Sequence, residues 1–231
     1  MKNLNIIEIA KKAKEAFLKT MNFSNEKKNE ALEKIAKKLE ENKAEIFEAN
    51  KKDLKEASVL LEKNEINLAT YNRLKLDENK MRDMIKGIYD LIKLEDPSNK
   101  VFWKKELDNN LVLTKISTPI GVIGVIFEAR PDCLAQISSL AIKSGNCAIL
   151  KGGSESYNTN TKIYSLIQEA LEEVENYPKE AINLIFSRDD VKKMLEADKF
   201  IDLIIPRGSN ALVKFIKENT KIPVLGHASG I

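Results

Sequence analysis

Residues 119–131 read PIGVIGVIFEARP, and this stretch decides the fold. Its centre, 120–127, is a continuous apolar run, which is typical of a parallel strand buried on both faces. Pro131 then opens a segment with a helical apolar face formed by Leu134, Ile137, Leu140 and Ala141. A buried strand followed at once by a helix is the repeating unit of a parallel α/β sheet.

The same alternation continues to the end of the chain. Four further strands are predicted at 147–151, 182–186, 200–205 and 222–226. Helical patterns separate these strands, and the strongest places Ile163, Leu166, Ile167, Ala170 and Leu171 on one face. We therefore predict a nucleotide-binding α/β domain over 118–231, a parallel sheet with flanking helices whose ligands bind at the carboxyl ends of the strands.

Residues 1–96 differ in character and are predicted to form a helical region that packs on this domain. Asp77 is a plausible N-cap for the last of its helices. Three apolar stripes occur at helical spacing: Ile6, Ala10, Ala13 and Phe17; Leu32, Ile35, Ala36 and Leu39; Met81, Ile85, Ile88 and Ile92. We interpret these stripes as packing faces, since no residues here have catalytic spacing.

Between the two regions, residues 97–117 predict an extended arm. The Asn109–Asn110 turn signal precedes an alternating segment, LVLTKI, which favours a hairpin or an edge strand. Such an arm could pair with another subunit. The arm and the apolar residues Val224, Leu225 and Ile231 are expected to promote self-association if they lie exposed.

Composition bounds the function. The 231 residues carry 38 basic and 35 acidic side chains, interleaved along the chain, which argues against a nucleic-acid surface. No apolar run is long enough to span a membrane, and charges interrupt the N-terminal apolar stretch, which excludes a secretory signal. Two cysteines without metal spacing, and a single histidine, suggest reduced thiols in the cytoplasm and no metal site.

Two strand-to-helix turns are candidate phosphate sites. One is Lys151-Gly152-Gly153-Ser154-Glu155 and the other is Arg207-Gly208-Ser209. Each combines glycine with a helix N-terminus and a neighbouring cation, a pattern suited to a phosphate. The alternative is that any β/α loop needs a glycine and a cap, and neither turn is a GxGxxG or Walker A motif. Spacing alone leaves both interpretations open.

Three further candidate sites follow from the sequence. Glu128 and Arg130 follow the first strand and could orient a substrate carboxylate or phosphate, or form a surface ion pair. Cys133 lies near a helix start, where a thiolate is favoured, but no histidine is near in sequence and it begins an apolar face. His227, the one histidine, is more typical of a capping or packing residue.

Several stretches closely resemble the gamma-glutamyl phosphate reductase family, whose members are also called glutamate-5-semialdehyde dehydrogenases. They are PIGVIGVIFEARP, SGNCAILKGGSES (144–156), DKFIDLIIPRGSNALVKFI (198–216), EKIAKKLEENKAEIFEANKKDL (33–54) and TYNRLKLDENKMRDM (70–84). The resemblance implies an aldehyde dehydrogenase-like fold and NADPH-dependent reduction of glutamyl phosphate to glutamate 5-semialdehyde in proline biosynthesis. It also implies a homo-oligomer in the full-length enzyme and an association with glutamate 5-kinase.

The resemblance also implies roles for individual residues. Lys151, Ser154 and Glu155 match the motif that meets the adenosine ribose and its 2′-phosphate. Gly208 and Ser209 match the turn facing the cofactor pyrophosphate. Glu128 and Arg130 match an E-A-R-P segment near the substrate channel.

One family motif has no counterpart. The nucleophilic cysteine of the family lies in an R-P-S-x-C-N-like segment, which these 231 residues do not contain. The catalytic domain is therefore expected to be absent, no catalytic residue is assigned, and the chain alone is expected to be inactive. Two other classes stay open: a non-catalytic nucleotide-binding module, and a helical interaction protein built on 1–96.

Overall fold

The computed structural model describes residues 5–226. Five helices form the N-terminal region: α1 (Ile6–Thr20), α2 (Asn25–Glu41), α3 (Lys43–Glu62), α4 (Leu68–Leu74) and α5 (Glu78–Lys93). The residues of the three predicted apolar stripes are buried, except Ile92, which is half-buried. Asp77 caps α5 as predicted, since its side chain accepts from the Lys80 amide at 2.8 Å.

A four-stranded parallel sheet forms the second region. Its strands are β3 (Val122–Phe127), β4 (Cys147–Lys151), β5 (Ile182–Ile185) and β6 (Leu203–Arg207), in the order β5-β4-β3-β6. The helices are α6 (Asp132–Lys143), α7 (Tyr157–Glu172), α8 (Arg188–Leu195) and α9 (Asn210–Glu218). The chain runs outward from β3 through β4 to β5 and then returns to the other side of β3. This reversal makes the carboxyl ends of β3 and β6 the switch point where ligands bind in such sheets.

The expected fifth strand is reduced to one bridge. Val224 pairs with Ile204, and the Leu225 amide donates to the Ile204 carbonyl at 2.9 Å. Pro223 has no amide to donate, so the ladder is short here. The predicted fourth strand begins at Leu203, later than expected, because the Asp202 side chain turns inward to accept from the Val122 amide at 2.8 Å.

Helices cover both faces of the sheet. Helix α1 lies against β3, β4 and β5, and α6 and α7 lie against β4 and β5 with α2 packed outside them. The α7 face predicted from spacing is fully buried, whereas Leu140 on α6 is 54% exposed and differs from expectation. Leu140 faces a cavity beside β6 that no helix among the described residues fills.

The arm is the predicted hairpin. Strands β1 (Val101–Asp108) and β2 (Leu111–Ile116) pair antiparallel, and Asn110 adopts a left-handed φ of 62° at the turn. Every residue of both strands is exposed, including Phe102 and Trp103. The hairpin therefore presents apolar side chains away from the core. Over residues 5–226, no helix combines the length and apolar character needed to cross a bilayer.

Candidate functional site

Two adjoining cavities open at the carboxyl edge of the sheet. The first, of about 650 Å³, is named the β4 cleft and is lined by Lys151, Ser154, Glu155, Arg188, Lys192 and Leu212, among others. The second, of about 880 Å³, is named the β6 cavity and is lined by Arg130, Cys133, Ile205, Arg207, Gly208 and Ser209, among others. Arg73, Phe127 and Glu128 line both cavities and form their common wall.

The β4 cleft combines a cationic end with an apolar slot. Lys151 ends β4, and Arg188 and Lys192 come from α8. Burial lowers the pKa of Lys151 and the charge of Arg188 lowers it further, whereas Glu155 and Glu128 oppose this shift. The slot is formed by Val191, Leu212 and Phe215. Cations beside an apolar slot suit a ligand with a phosphate and a flat ring.

The glycines of the first turn serve close packing. A side chain at Gly152 would meet the Asn160 amide nitrogen at 2.3 Å, and one at Gly153 would meet the Ala129 amide nitrogen at 2.9 Å. The absence of a side chain at these positions therefore lets the end of β4 lie close to α7 and to the loop after β3. The two glycines are therefore structural, as the open alternative for this turn allowed.

The start of α7 is not free for phosphate, which corrects one expectation. The amides of Asn158 and Thr159 donate to the carboxylate of Asp53, from α3, at 2.9 and 2.8 Å. Residues Ser154–Ser156 form a single 3-10 turn before α7 begins. A phosphate in the β4 cleft would therefore depend on side-chain cations and the Ser154 turn, because the first amides of α7 are already bonded within the protein.

The second turn, after β6, differs from the first, since no carboxylate of residues 5–226 accepts from the amides of its helix, although the Glu128 carboxylate lies beside Gly208. Ser209 caps α9 by accepting from the Leu212 amide at 3.3 Å, and the first turn of α9 contains no acidic residue. Gly208 and Ser209 line the β6 cavity, next to the cleft that holds Lys151. The predicted cofactor residues are thus divided between two cavities that share a wall.

A strained loop separates the predicted substrate residues. Ala129 has a φ of 36°, rare for a residue with a side chain, and is 3% exposed against Leu74 and Ala57. The residues on either side of it line the same cavity but make different contacts. Glu128 lies beside the second turn, where a side chain at Gly208 would meet its carboxylate at 3.0 Å, and Arg130 pairs with Asp132 at 3.3 Å.

Neither cysteine has the character of a nucleophile. Burial and the Asp132 charge raise the pKa of Cys133, against an opposing effect of Arg130 and Arg207. Burial raises the pKa of Cys147 to about 12. Both side chains are therefore neutral thiols near pH 7, and thiolate chemistry requires the ionised form. His227 lies outside the described residues.

Sequence reasoning missed two residues that line this site and one that bonds to the helix beside it. Arg188 is the first residue of the helix after β5, so the rule that ligands bind beyond strand ends could have found it. Arg73 lies in a segment read only as part of a helical region. Asp53 lies 105 positions before its partner Asn158, and no local pattern reveals such a contact.

The sequence model of the aldehyde dehydrogenase family matches residues 2–225. The gamma-glutamyl phosphate reductase of Brachyspira hyodysenteriae is 59% identical over 228 residues, which cover 99% of this chain and 53% of that protein.

Two crystal structures of gamma-glutamyl phosphate reductases are similar in fold. The structure from Thermotoga maritima has a TM-score of 0.91 at 35% identity, covering 98% of this chain and 54% of that one. The structure from Saccharomyces cerevisiae has a TM-score of 0.89 at 42% identity, covering 98% and 57%. The chain therefore spans about half the length of the relatives that it matches.

Proposed function

The chain belongs to the aldehyde dehydrogenase family, and we propose that it supplies the cofactor-binding part of an enzyme that reduces L-glutamyl 5-phosphate to L-glutamate 5-semialdehyde. Aldehyde dehydrogenases use NAD or NADP, and NADPH is the proposed cofactor here. This reaction is a step of proline biosynthesis. The high identity to gamma-glutamyl phosphate reductases across nearly the whole chain supports this assignment.

The cations of the β4 cleft are the observation that carries the choice of NADPH. Lys151, Arg188 and Lys192 line the β4 cleft. Its acidic lining residues are Glu65 and Glu155, together with Glu128 on the common wall. The 2′-phosphate, which NADH lacks, would gain charge-assisted hydrogen bonds from this cluster. Val191, Leu212 and Phe215 would pack on the adenine. When bound, the cofactor supplies the hydride for the reduction.

The remaining candidate residues divide between cofactor and substrate. Gly208 and Ser209 would hold the pyrophosphate, because the amides of Asn210 and Ala211 donate to no group among residues 5–226 and the positive end of the α9 dipole lies there. Ser154 and Glu155 would contact the ribose. Arg130 would hold an anionic group of glutamyl phosphate. Glu128, which is part of the common wall, would face the ammonium group of the substrate.

The chemistry requires a nucleophile that the described residues do not provide. Cys133 and Cys147 are both protonated thiols, and neither stands beside a general base within residues 5–226. We therefore propose that the 231-residue chain binds nucleotide without turnover. A phosphate-dependent oxidation of glutamate semialdehyde, abolished by Cys133→Ser, would contradict this part of the proposal.

A second candidate is a non-catalytic nucleotide-binding module, favoured by the two inert thiols. It would bind NADPH as the enzyme does, but adding a second chain that carries the nucleophilic cysteine would not produce turnover. The exposed hairpin is the proposed contact for a homo-oligomer. A cytoplasmic location and an association with glutamate 5-kinase complete the proposal, supported by the assigned pathway and the reduced thiols.

Titration calorimetry of the chain with NADPH and NADH tests the cofactor assignment. Lys151→Ala should weaken NADPH binding about tenfold, as expected for a lost charge-assisted hydrogen bond, and should change NADH binding little. Lys193→Ala is the matched control, because Lys193 is exposed on the same helix as Lys192 but does not line the cleft. Absence of NADPH binding, or an equal loss for both nucleotides, would refute the assignment.

A further inference from the structure

We propose that Arg73 binds the phosphoryl group of the substrate, so that the N-terminal helical region contributes directly to the active site. This inference rests on the proposed function and extends it to a residue that sequence reasoning left in a packing region. Arg73 lies one residue before the end of α4 and lines both the β4 cleft and the β6 cavity.

The guanidinium of Arg73 is left available for a ligand. Among residues 5–226 it makes one hydrogen bond, from Nε to the Ala69 carbonyl at 3.2 Å, within its own helix. No carboxylate of residues 5–226 lies within ion-pair distance of it, whereas Arg82 pairs with Asp83 and Arg130 pairs with Asp132. Both terminal nitrogens can therefore donate to a planar pair of anionic oxygens.

The backbone of Arg73 is held firmly although its side chain is exposed. The next residue, Leu74, is fully buried in a small core with Ala57 and Ala129. The Leu74 carbonyl accepts from the buried Asn50 amide at 2.9 Å, and the Asn50 oxygen accepts from the Leu76 amide at 3.0 Å. The end of α4 is thus fixed against the loop that carries Glu128 and Arg130.

The charges around the β6 cavity match a substrate with two anionic groups and one cationic group. Arg73, Arg130 and Arg207 line the cavity, and Glu128 is the one acid among its lining residues in the described part of the chain. Glutamyl phosphate carries a phosphoryl group, an α-carboxylate and an α-ammonium group. Three arginines and one carboxylate can satisfy all three groups.

The position of Arg73 on the common wall selects the phosphoryl group among these. A cysteine thiolate would displace phosphate from the acyl carbon, and that same carbon would then receive the hydride, so the phosphoryl end of the substrate must lie beside the nucleotide. Arg73 is the one arginine that lines both cavities, whereas Arg130 and Arg207 line the β6 cavity alone. The latter two are therefore left for the α-carboxylate, Arg130 through the nitrogens that its single contact with Asp132 does not use.

Calorimetry with the phosphonate isostere of glutamyl phosphate tests this inference on the 231-residue chain. In this probe, methylene groups replace the acyl carbonyl and the bridging oxygen, so it cannot react. Arg73→Ala should weaken binding of the isostere about tenfold. Arg73→Lys, which keeps the charge but loses the planar fork, should show a smaller loss. Arg82→Ala is the matched control and should show none.

Norvaline, which carries the α-carboxylate and ammonium but no phosphoryl group, separates contact from structural damage. Its affinity should be the same for the wild-type chain and Arg73→Ala. An equal loss for norvaline and the isostere, unchanged isostere binding in Arg73→Ala, or no isostere binding by the wild-type chain would each overturn the inference. NADPH titrated in parallel tests the proposed function separately, since intact NADPH binding beside any of these results refutes Arg73 alone.

Discussion

Replacing Asp53 by alanine removes a buried carboxylate that joins the N-terminal region to the sheet domain. The side chain of Asp53 is 1% exposed and accepts four hydrogen bonds, from the backbone amide and the side chain of both Asn158 and Thr159. Its charge also lies at the positive end of the α7 dipole. All four donors lose their partner in the Asp53→Ala variant.

The expected loss of folding free energy is about 4 kcal/mol. A hydrogen bond to a charged group contributes about 1.5–3 kcal/mol, and leaving a buried donor unpaired costs about 1–3 kcal/mol. These costs do not add fully, because water enters the cavity and α7 relaxes at its first turn. Since total stabilities are about 5–15 kcal/mol, the variant should be close to unfolding.

Urea denaturation followed by circular dichroism measures this loss. Asp53→Asn should lose roughly half as much, because its amide keeps one acceptor oxygen while its nitrogen faces donors. Asp83→Ala is the control, since the Asp83 side chain is 71% exposed on α5. A folding free energy for Asp53→Ala within about 0.5 kcal/mol of that control would refute the reasoning, because such a value is typical of surface changes.

Two further predictions concern the thiols and the hairpin. Cys147 should resist alkylation at pH 8 until the chain is unfolded. Folding raises the pKa of its thiol from 9.0 to about 12. Its contribution to the folding free energy is therefore fully present below pH 9 and declines as the pH rises toward 12. Rapid native labelling of Cys147, or stability that is flat over that range in comparison with Cys147→Ala, would contradict this. Leu113→Lys should reduce self-association measured by light scattering, because Leu113 is 47% exposed on an apolar hairpin. Thr114→Lys on the same strand is its control, and a wild-type chain that is already a monodisperse monomer would show that the hairpin does not associate.

Periodicity predicted the core well, because burial repeats with the geometry of the element itself. The stripes on α1, α2 and α7 are buried as their spacing requires. Leu140 on α6 is the exception. Helical spacing indicates that an apolar face can be buried, but it does not show which element buries it. The short pairing at 222–226 follows from Pro223, whose missing amide an apolar run does not reveal.

The candidate site was only partly predictable, because polar contacts across the fold leave no periodic trace. Lys151 ends a strand, and Arg130 and Gly208 follow strands within three residues, so topology alone places them at one edge. The amides at the start of α7 were expected to be free, but those of Asn158 and Thr159 donate to Asp53, which lies 105 residues before Asn158 in the chain. Arg73 reaches the same edge from α4, and its place depends on how Leu74 and Ala129 pack together.

A crystal structure of the 231-residue chain grown with NADP⁺ would test the central claim most directly. We expect the 2′-phosphate beside Lys151 and Arg188 in the β4 cleft, with the pyrophosphate at the Gly208–Ser209 turn. A nucleotide bound elsewhere, or with its 2′-phosphate directed away from Lys151 and Arg188, would contradict the proposed cofactor site.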